Sequence, residues 1–350
     1  MKMRGASCFF CLIISLTFSI FYLTNRALAS ETDAARQAAL VEGAKKEGKL
    51  LWYSTMNIGD VDSLLKRFRE KYPFIATESY KAGSEGMLTK VLAEAAANKL
   101  RCDLIMNTGQ ETLIVQKKGL LAKYVSPQSK FFPEGLKDPE GLWTDVYMNL
   151  NVLAYNTKLV APRDVPASYQ DLLDPKWRGK KIALDVKAFD WYANMLKMMG
   201  EEKGQAYMKR LAEQELKFYS NRTVLAQMVG AGEVAISPGV YNHRIEEMKA
   251  KGAPIEWLGV EPVVVEIHPI AISASAPNPN AAKLFVDFIL SREGQELVAT
   301  FYRIPSRTDV DPILPRLKKG LKLMPFDPAI AENYNKYATL YRETLMKKKR

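Results

Sequence analysis

Cysteine and histidine are the scarce residues here, with three and two copies in 350 positions. Cys8 and Cys11 stand near the N-terminus, so a chain processed there keeps Cys102 alone and closes no internal disulfide. Stability must then come from core burial. Cys102 lies in the apolar run Cys102-Asp103-Leu104-Ile105-Met106, where a buried, inert thiol is expected rather than a nucleophile. His243 and His268 stand apart, which leaves no His/Cys cluster for zinc. No Gly-x-Ser-x-Gly elbow occurs, and Ser, His and Asp show no hydrolase arrangement. A secreted hydrolase using a carboxylate pair stays open, because Asp and Glu number 39. Repeats and low-complexity tracts are also missing, which speaks against a structural or adhesive protein.

What is present begins with an export segment. Lys2 and Arg4 form a basic head, Cys8 to Leu23 is almost wholly apolar, and Ala27-Leu28-Ala29 closes the stretch. Together these read as a secretory signal cut after Ala29. The apolar run of about 16 residues is short for a membrane span of roughly 20, so an uncleaved anchor is the weaker reading. The mature part, Ser30 to Arg350, suits two domains rather than one core. The formal charge is +11, and removing Lys2, Arg4 and Arg26 leaves +8. Four of those charges sit in Lys347-Lys348-Lys349-Arg350, a tail expected to fray. The others are interspersed with carboxylates, and no basic stripe with aromatics points to nucleic acid.

Strand and helix patterns alternate along the chain. Leu50 to Tyr53, Phe74 to Thr77 and Asp103 to Met106 read as short strands. Val61, Leu64, Leu65 and Phe68 have helical spacing, as do Met87, Leu88, Val91 and Leu92, with Ser84 as an N-cap. The Pro-, Lys- and Gly-rich stretch from Ser126 to Gly141 marks a boundary. Val146 to Tyr155 and Val263 to Ile272 are long extended segments. Between them lie strands at Lys181–Leu184, Lys217–Tyr219 and Val234–Ile236, and helices at Trp191–Met199 and Val224–Val229. This succession predicts an open α/β sheet crossed twice between two lobes, with a cleft between them.

Several stretches resemble one family in order along the chain. They are Val152-Leu153-Ala154-Tyr155-Asn156-Thr157-Lys158-Leu159, Leu172-Leu173-Asp174-Pro175-Lys176-Trp177-Arg178-Gly179-Lys180, Gly232 to Ile236, Asn278 to Phe285 and Ser291 to Gln295. The chain resembles periplasmic solute-binding proteins of bacterial ABC importers, in the branch that includes ferric-iron binders. The resemblance implies an α/β, two-lobed, type II-like binding protein with a two-strand hinge. It implies a monomer in the periplasm that hands a small solute to permease subunits, with no cofactor and no catalysis. The expected division is signal 1–29, one lobe from 30–145 with 267–310, and the other from 146–266 with 311–350. The stretch after residue 310 is expected to pack on the second lobe.

Ferric members of that family use two adjacent tyrosines with a histidine and a glutamate. Those positions correspond here to Val240-Tyr241, Asn57, and Thr108 with Glu111 a turn later. Only Tyr241 supplies a sure oxygen, so Fe3+ remains an alternative cargo and a small anionic or oxygen-rich solute is preferred. Tyr241 follows the breaker pair Pro238-Gly239, where the family's cleft lies; the plain alternative is a partly buried, hydrogen-bonded tyrosine. Arg222, between Asn221 and Thr223 at a helix start, makes an anion seat, unless Asn221 or Thr223 merely caps and Arg222 faces water. Ser54, Thr55, Ser84 and Thr108 follow the first three strands and offer hydroxyls, as ligand donors or as ordinary caps. Asp190 opens a helix in which Trp191 is either pocket wall or core, and Lys81 is a weaker candidate.

Overall fold

The computed structural model describes residues 33–347. The signal segment 1–29 and its cut after Ala29 lie outside the described residues, as do Lys348, Lys349 and Arg350 of the basic tail. The order begins with helix α1 (33–47). Then come β1 (Lys49–Ser54), α2 (Ile58–Lys71), β2 (Ala76–Lys81), α3 (Ser84–Ala96), β3 (Leu104–Met106), α4 (Gly109–Lys117) and β4 (Leu121–Ala122). The long strand β5 (Thr144–Asn156) leads to β6 (Ala183–Asp185), α5 (Phe189–Met199), α6 (Glu201–Ala212), β7 (Lys217–Tyr219), α7 (Arg222–Ala231), β8 (Ile236–Tyr241), α8 (Asn242–Ala250) and β9 (Ile255–Leu258). A second long strand, β10 (Val263–Ser273), returns to α9 (Pro279–Leu290), α10 (Arg292–Thr300) and β11 (Ile304–Pro305). The chain ends with β12 (Leu323–Met324), α11 (Pro328–Glu332) and α12 (Tyr334–Tyr341). Among the described residues no helix is long and apolar enough to cross a membrane.

The two long strands tie the molecule together. Thr144 to Asn151 of β5 pairs antiparallel with Val264 to Ile270 of β10, whereas Asn151 to Asn156 pairs with β8 and β9. The other end of β10, Ile270 to Ile272, pairs with β3, which in turn pairs with β1 parallel. Each strand therefore runs through both halves of one curled sheet, and every residue of β10 is buried. Side chains alternate across a strand. Met148, Leu150, Val152, Val263, Val265 and Ile267 enter one apolar core that follows the sheet from lobe to lobe. The same alternation turns Asn149, Asn151, Glu266 and His268 to the opposite face. A second core joins α2 to α9 around Trp52, Phe68 and Phe285 in the first lobe. A third joins α5, α6 and α12 around Trp191, Met208 and Tyr341 in the other. Cys102 is fully buried, and burial pushes its thiol up to about 12, so it is inert as expected.

Two local expectations change. The second strand starts at Ala76, not Phe74: Ile75 reaches the core from a turn, its N–H bonded to Tyr72 O at 3.1 Å. An apolar pair can satisfy burial without strand geometry. Pro238-Gly239 does not end a strand but lies inside β8, where the register with β5 slips between Val152 and Leu153. Gly239 has φ +87°, a left-handed conformation suited to a bulge, and a Cβ there would touch the Trp191 ring at 3.4 Å. After residue 310 the chain packs on α8 and β9 before it reaches α12: Arg316 pairs with Glu246 and Glu256 at 3.3 and 2.7 Å, and Asn242 donates to the Leu317 carbonyl at 3.1 Å. On the way α11 packs against α4, and Lys117 pairs with Glu332 at 2.9 Å.

Asp145 of β5 is fully buried; its carboxylate accepts the His268 N–H at 2.5 Å and the Ser306 hydroxyl. Burial pushes this carboxyl from 3.8 up to about 8. The folded acid thus keeps its proton to higher pH than the unfolded one, so its contribution to stability falls as pH rises between those values and levels off above. Asp145→Asn resembles the protonated acid. Between pH 5 and 8 it is expected to gain on wild type by up to about 1.4 kcal/mol per pH unit, measured by denaturant titration. A gap that does not widen with pH would sink the buried-acid assignment.

Candidate functional site

A cavity of about 390 Å³ opens between the lobes, with Tyr241, Glu266 and His268 on its floor. The first lobe supplies Thr55 and Asn57 after β1, Gly83 to Gly86 at the start of α3, and Thr108, Gln110 and Glu111 at the start of α4. The second lobe supplies Asp185 and Lys187 after β6, Asp190 in the first turn of α5, and Asn221 to Thr223 at the start of α7. Tyr334, from the C-terminal segment, completes the wall. Helices that follow parallel strands place their N-termini at the strands' carboxyl ends, which is why five of them, α2 to α5 and α7, converge here. Asn221 caps α7 by accepting the Val224 N–H at 2.9 Å. No side chain caps α3, which leaves its first-turn amides for another acceptor. Lys187 on one lobe forms an ion pair with Glu85 on the other, across the cleft.

Thr55, Ser84, Thr108, Asp190, Arg222 and Tyr241 all line this cavity, and so does Lys81. Ser54 does not. It is buried beneath the strand ends, where its Oγ accepts the Met56 N–H at 3.1 Å and rests on Met106 Sδ. Ser84 is the first residue of α3 rather than its N-cap, a position held by Gly83. Trp191 and Tyr192 belong to the second lobe's core and form no pocket wall.

Arg222 turns inward, and Asn221 takes the capping role, so neither sequence-level alternative describes it fully. Its Nη2 binds both Asp190 oxygens at 2.6 and 2.7 Å. Nη1 reaches the Tyr241 hydroxyl at 2.5 Å and Glu266 at 3.0 Å, and Nε donates to Gly239 O at 3.2 Å. Burial works against the guanidinium charge, but Asp190, Tyr241 and Glu266 outweigh it and hold the group well above its ordinary value. All five donors are committed to the protein, so Arg222 acts as a clamp on the floor of the cleft before it is an anion seat.

Tyr241 also donates to Glu266 at 2.5 Å, which makes it both a cleft residue and a hydrogen-bonded buried tyrosine. Burial pushes the Glu266 carboxyl up to about 8, against the pull of Arg222. Burial likewise raises Glu111, whose carboxylate accepts the Thr108 hydroxyl. His268 is stacked on Tyr147 at 4.4 Å and is held well below the usual histidine range by burial, then by Arg303 and Arg222. It is neutral at pH 7. Among the described residues no three His, Cys, Asp or Glu side chains converge as metal ligands.

Glu266, His268, Gln110 and Tyr334 were not singled out from the sequence. For the first two a signal existed. A carboxylate and an imidazole interrupt the otherwise apolar Val263-Val264-Val265-Glu266-Ile267-His268, and charge in a strand buried on both faces needs a partner or a ligand. Nothing local marks Tyr334, which arrives from far along the chain.

Known proteins are similar to this chain in sequence and fold. A periplasmic protein of Salmonella typhimurium named for 2-aminoethylphosphonate binding is 25% identical over 247 residues, covering 67% of this chain and 71% of its own. Iron uptake protein A2 of Synechocystis is 25% identical over 202 residues, 52% of this chain and 58% of that one. The solved structure of AfuA from Actinobacillus pleuropneumoniae, a periplasmic binding protein with exogenous fructose-6-phosphate bound, is 26% identical. It superposes with a TM-score of 0.77 over 85% of this chain and 99% of AfuA. The family of bacterial extracellular solute-binding proteins matches residues 106–333, well over half of the sequence, and this chain belongs to that family.

Proposed function

We propose that the protein is the solute receptor of an ABC importer and that it holds its solute by a phosphonate- or phosphate-type oxyanion. The observation that carries this is the convergence of helix N-termini from both lobes on one cavity, α3 among them without a side-chain cap. Exposed amides at helix starts and the aligned peptide dipoles favour a multivalent oxyanion. Lys81 lines the same cavity and adds positive charge, while the Lys187 ammonium is paired with Glu85. A volume near 390 Å³ suits a small solute. Because the walls come from both lobes, a bound solute contacts both only in the closed form and shifts the population toward it. We assign 30–145 with 267–310 to one lobe and 146–266 with 311–350 to the other. The protein works as a periplasmic monomer, delivers its cargo to permease subunits, and leaves that cargo chemically unchanged.

A ferric reading has its own support, since Tyr241, Glu266, Glu111 and Asp190 present oxygens and a relative is named for iron uptake. Against it, Arg222 already occupies Asp190, Tyr241 and Glu266. Native mass spectrometry and metal analysis of protein purified from cells separate the two. A co-purifying phosphorus-containing solute, released unaltered on denaturation, is the expected result. Stoichiometric iron without such a solute would overturn the oxyanion reading.

A further inference from the structure

The C-terminal segment leaves the second lobe, touches the first, and comes back. It sets out from α8 and β9, to which Arg316 is tied through Glu246 and Glu256. It ends with α12 seated in the second lobe, where Tyr341 is fully buried, packs edge-on against Phe189 at 5.4 Å and donates to Asp185 O at 2.5 Å. Between these anchors it reaches α4 of the first lobe. The Phe326 ring lies against Gly109, where a Cβ would come within 2.6 Å of it. The helix α11 spans the gap. Asp327 caps its start and pairs with Lys197 of α5, while Glu332 at its other end pairs with Lys117 of α4 at 2.9 Å. Tyr334, two residues on, lines the cavity and packs edge-on against Phe189 at 5.9 Å.

We propose that α11 is a latch between the lobes: a strap fixed at both ends to the second lobe, whose elbow grips α4 only while the cleft is closed. The inference rests on the division into closing lobes proposed above and is independent of the cargo. The strands β5 and β10 run through both halves and keep them joined in either state, whereas α11 has no covalent tie to the first lobe and must let go when the lobes part. The two attachments of the strap are unequal. Its α12 side is held by the buried aromatic group of Tyr341, Phe189 and Tyr192. Its α4 side is a short helix with only Ile330 and Ala331 buried, a half-buried phenyl ring, and an ion pair whose side chains are 57% and 59% exposed. The weaker side is the one that opens. Because Tyr334 directly follows the elbow, a solute that fills the cavity bears on the strap and favours the gripped position.

Solution scattering of the solute-free protein in three forms tests this. In the chain from Ser30 to Arg350 the native thiol, Cys102, is buried, so engineered thiols react alone. In the first form Lys117→Cys and Glu332→Cys are joined by a short bis-maleimide. In the second, Glu85→Cys and Lys187→Cys are joined across the cleft in the same way. In the third, Lys117→Glu with Phe326→Ala breaks the grip. Both linked forms are expected to be equally compact. The broken form is expected to show a larger radius of gyration, its open-to-closed ratio raised about 10-fold or more over wild type by loss of a half-buried ring and an exposed pair. Lys117→Glu alone changes an exposed position and is expected to move the same way by a smaller step, which keeps the test sound if the double variant folds poorly. A strap-linked form as expanded as the broken one, beside a compact cleft-linked form, overturns the latch and leaves the closing lobes intact. Three equal radii overturn the latch together with the closing lobes.

Discussion

Ser84→Glu is expected to abolish solute capture, lowering affinity for the phosphonate or phosphate ligand by about 100-fold or more, because like charges brought together at a binding site cost several kcal/mol. Ser84 opens α3 and lines the cavity, where the unclaimed first-turn amides lie. A carboxylate placed there becomes an internal competitor for those amides and repels an incoming oxyanion. The same change should leave folding alone. Ser84 is only half-buried, and an acidic residue in the first turn of a helix agrees with the dipole. Stability is expected within about 0.5 kcal/mol of wild type by thermal melting. Calorimetry on the folded variant gives the decisive number. Undiminished oxyanion affinity would remove the helix start from the site. A cationic cargo would be held as well or better by the variant, so the experiment also discriminates against iron.

Arg222→Met addresses the floor rather than the amide end. The side chain is buried, and its removal leaves Asp190 and Glu266 facing each other without the cation that joins them. Breaking a buried pair by deleting one partner typically costs about 3–5 kcal/mol, and that is the loss expected in denaturant titration near pH 7. Because Glu266 titrates at about 8, part of its charge is already neutralised there. The deficit should therefore grow as the pH rises through that value. Arg222→Met combined with Asp190→Asn is expected to recover a good part of the loss, since the uncompensated carboxylate is gone. A loss below about 1 kcal/mol for the single variant would show that solvent, not Arg222, neutralises these acids.

Much of the architecture was legible because its signals are local. The helical face of Val61, Leu64, Leu65 and Phe68 is the buried face of α2, and the two long extended runs are β5 and β10. Where local signals failed, a non-local demand had won. Ile75 reached its core contact from a turn, and Pro238-Gly239 was absorbed into a strand by a bulge that lets Gly239 pack on Trp191. The seven residues proposed for the site show the same division. Six follow strands or open helices, and those positions face the cleft in any sheet of this kind. Ser54 shared the pattern but was drawn under the strand ends by Met56 and Met106.

The amino-acid sequence by itself determined the elements, their alternation and the family pattern, since periodicity, turn residues and short motifs are written within a few neighbouring positions. Only the tertiary structure decided which charges meet. Arg222 finds Asp190, Tyr241 and Glu266 at 32, 19 and 44 positions along the chain. Whether a charged side chain is a seat for a ligand or a clamp for its neighbours depends on distances of a few ångströms in the folded chain. Coulombic and hydrogen-bond energies are set by those distances and by burial, and neither quantity exists until the lobes and the two long strands have packed.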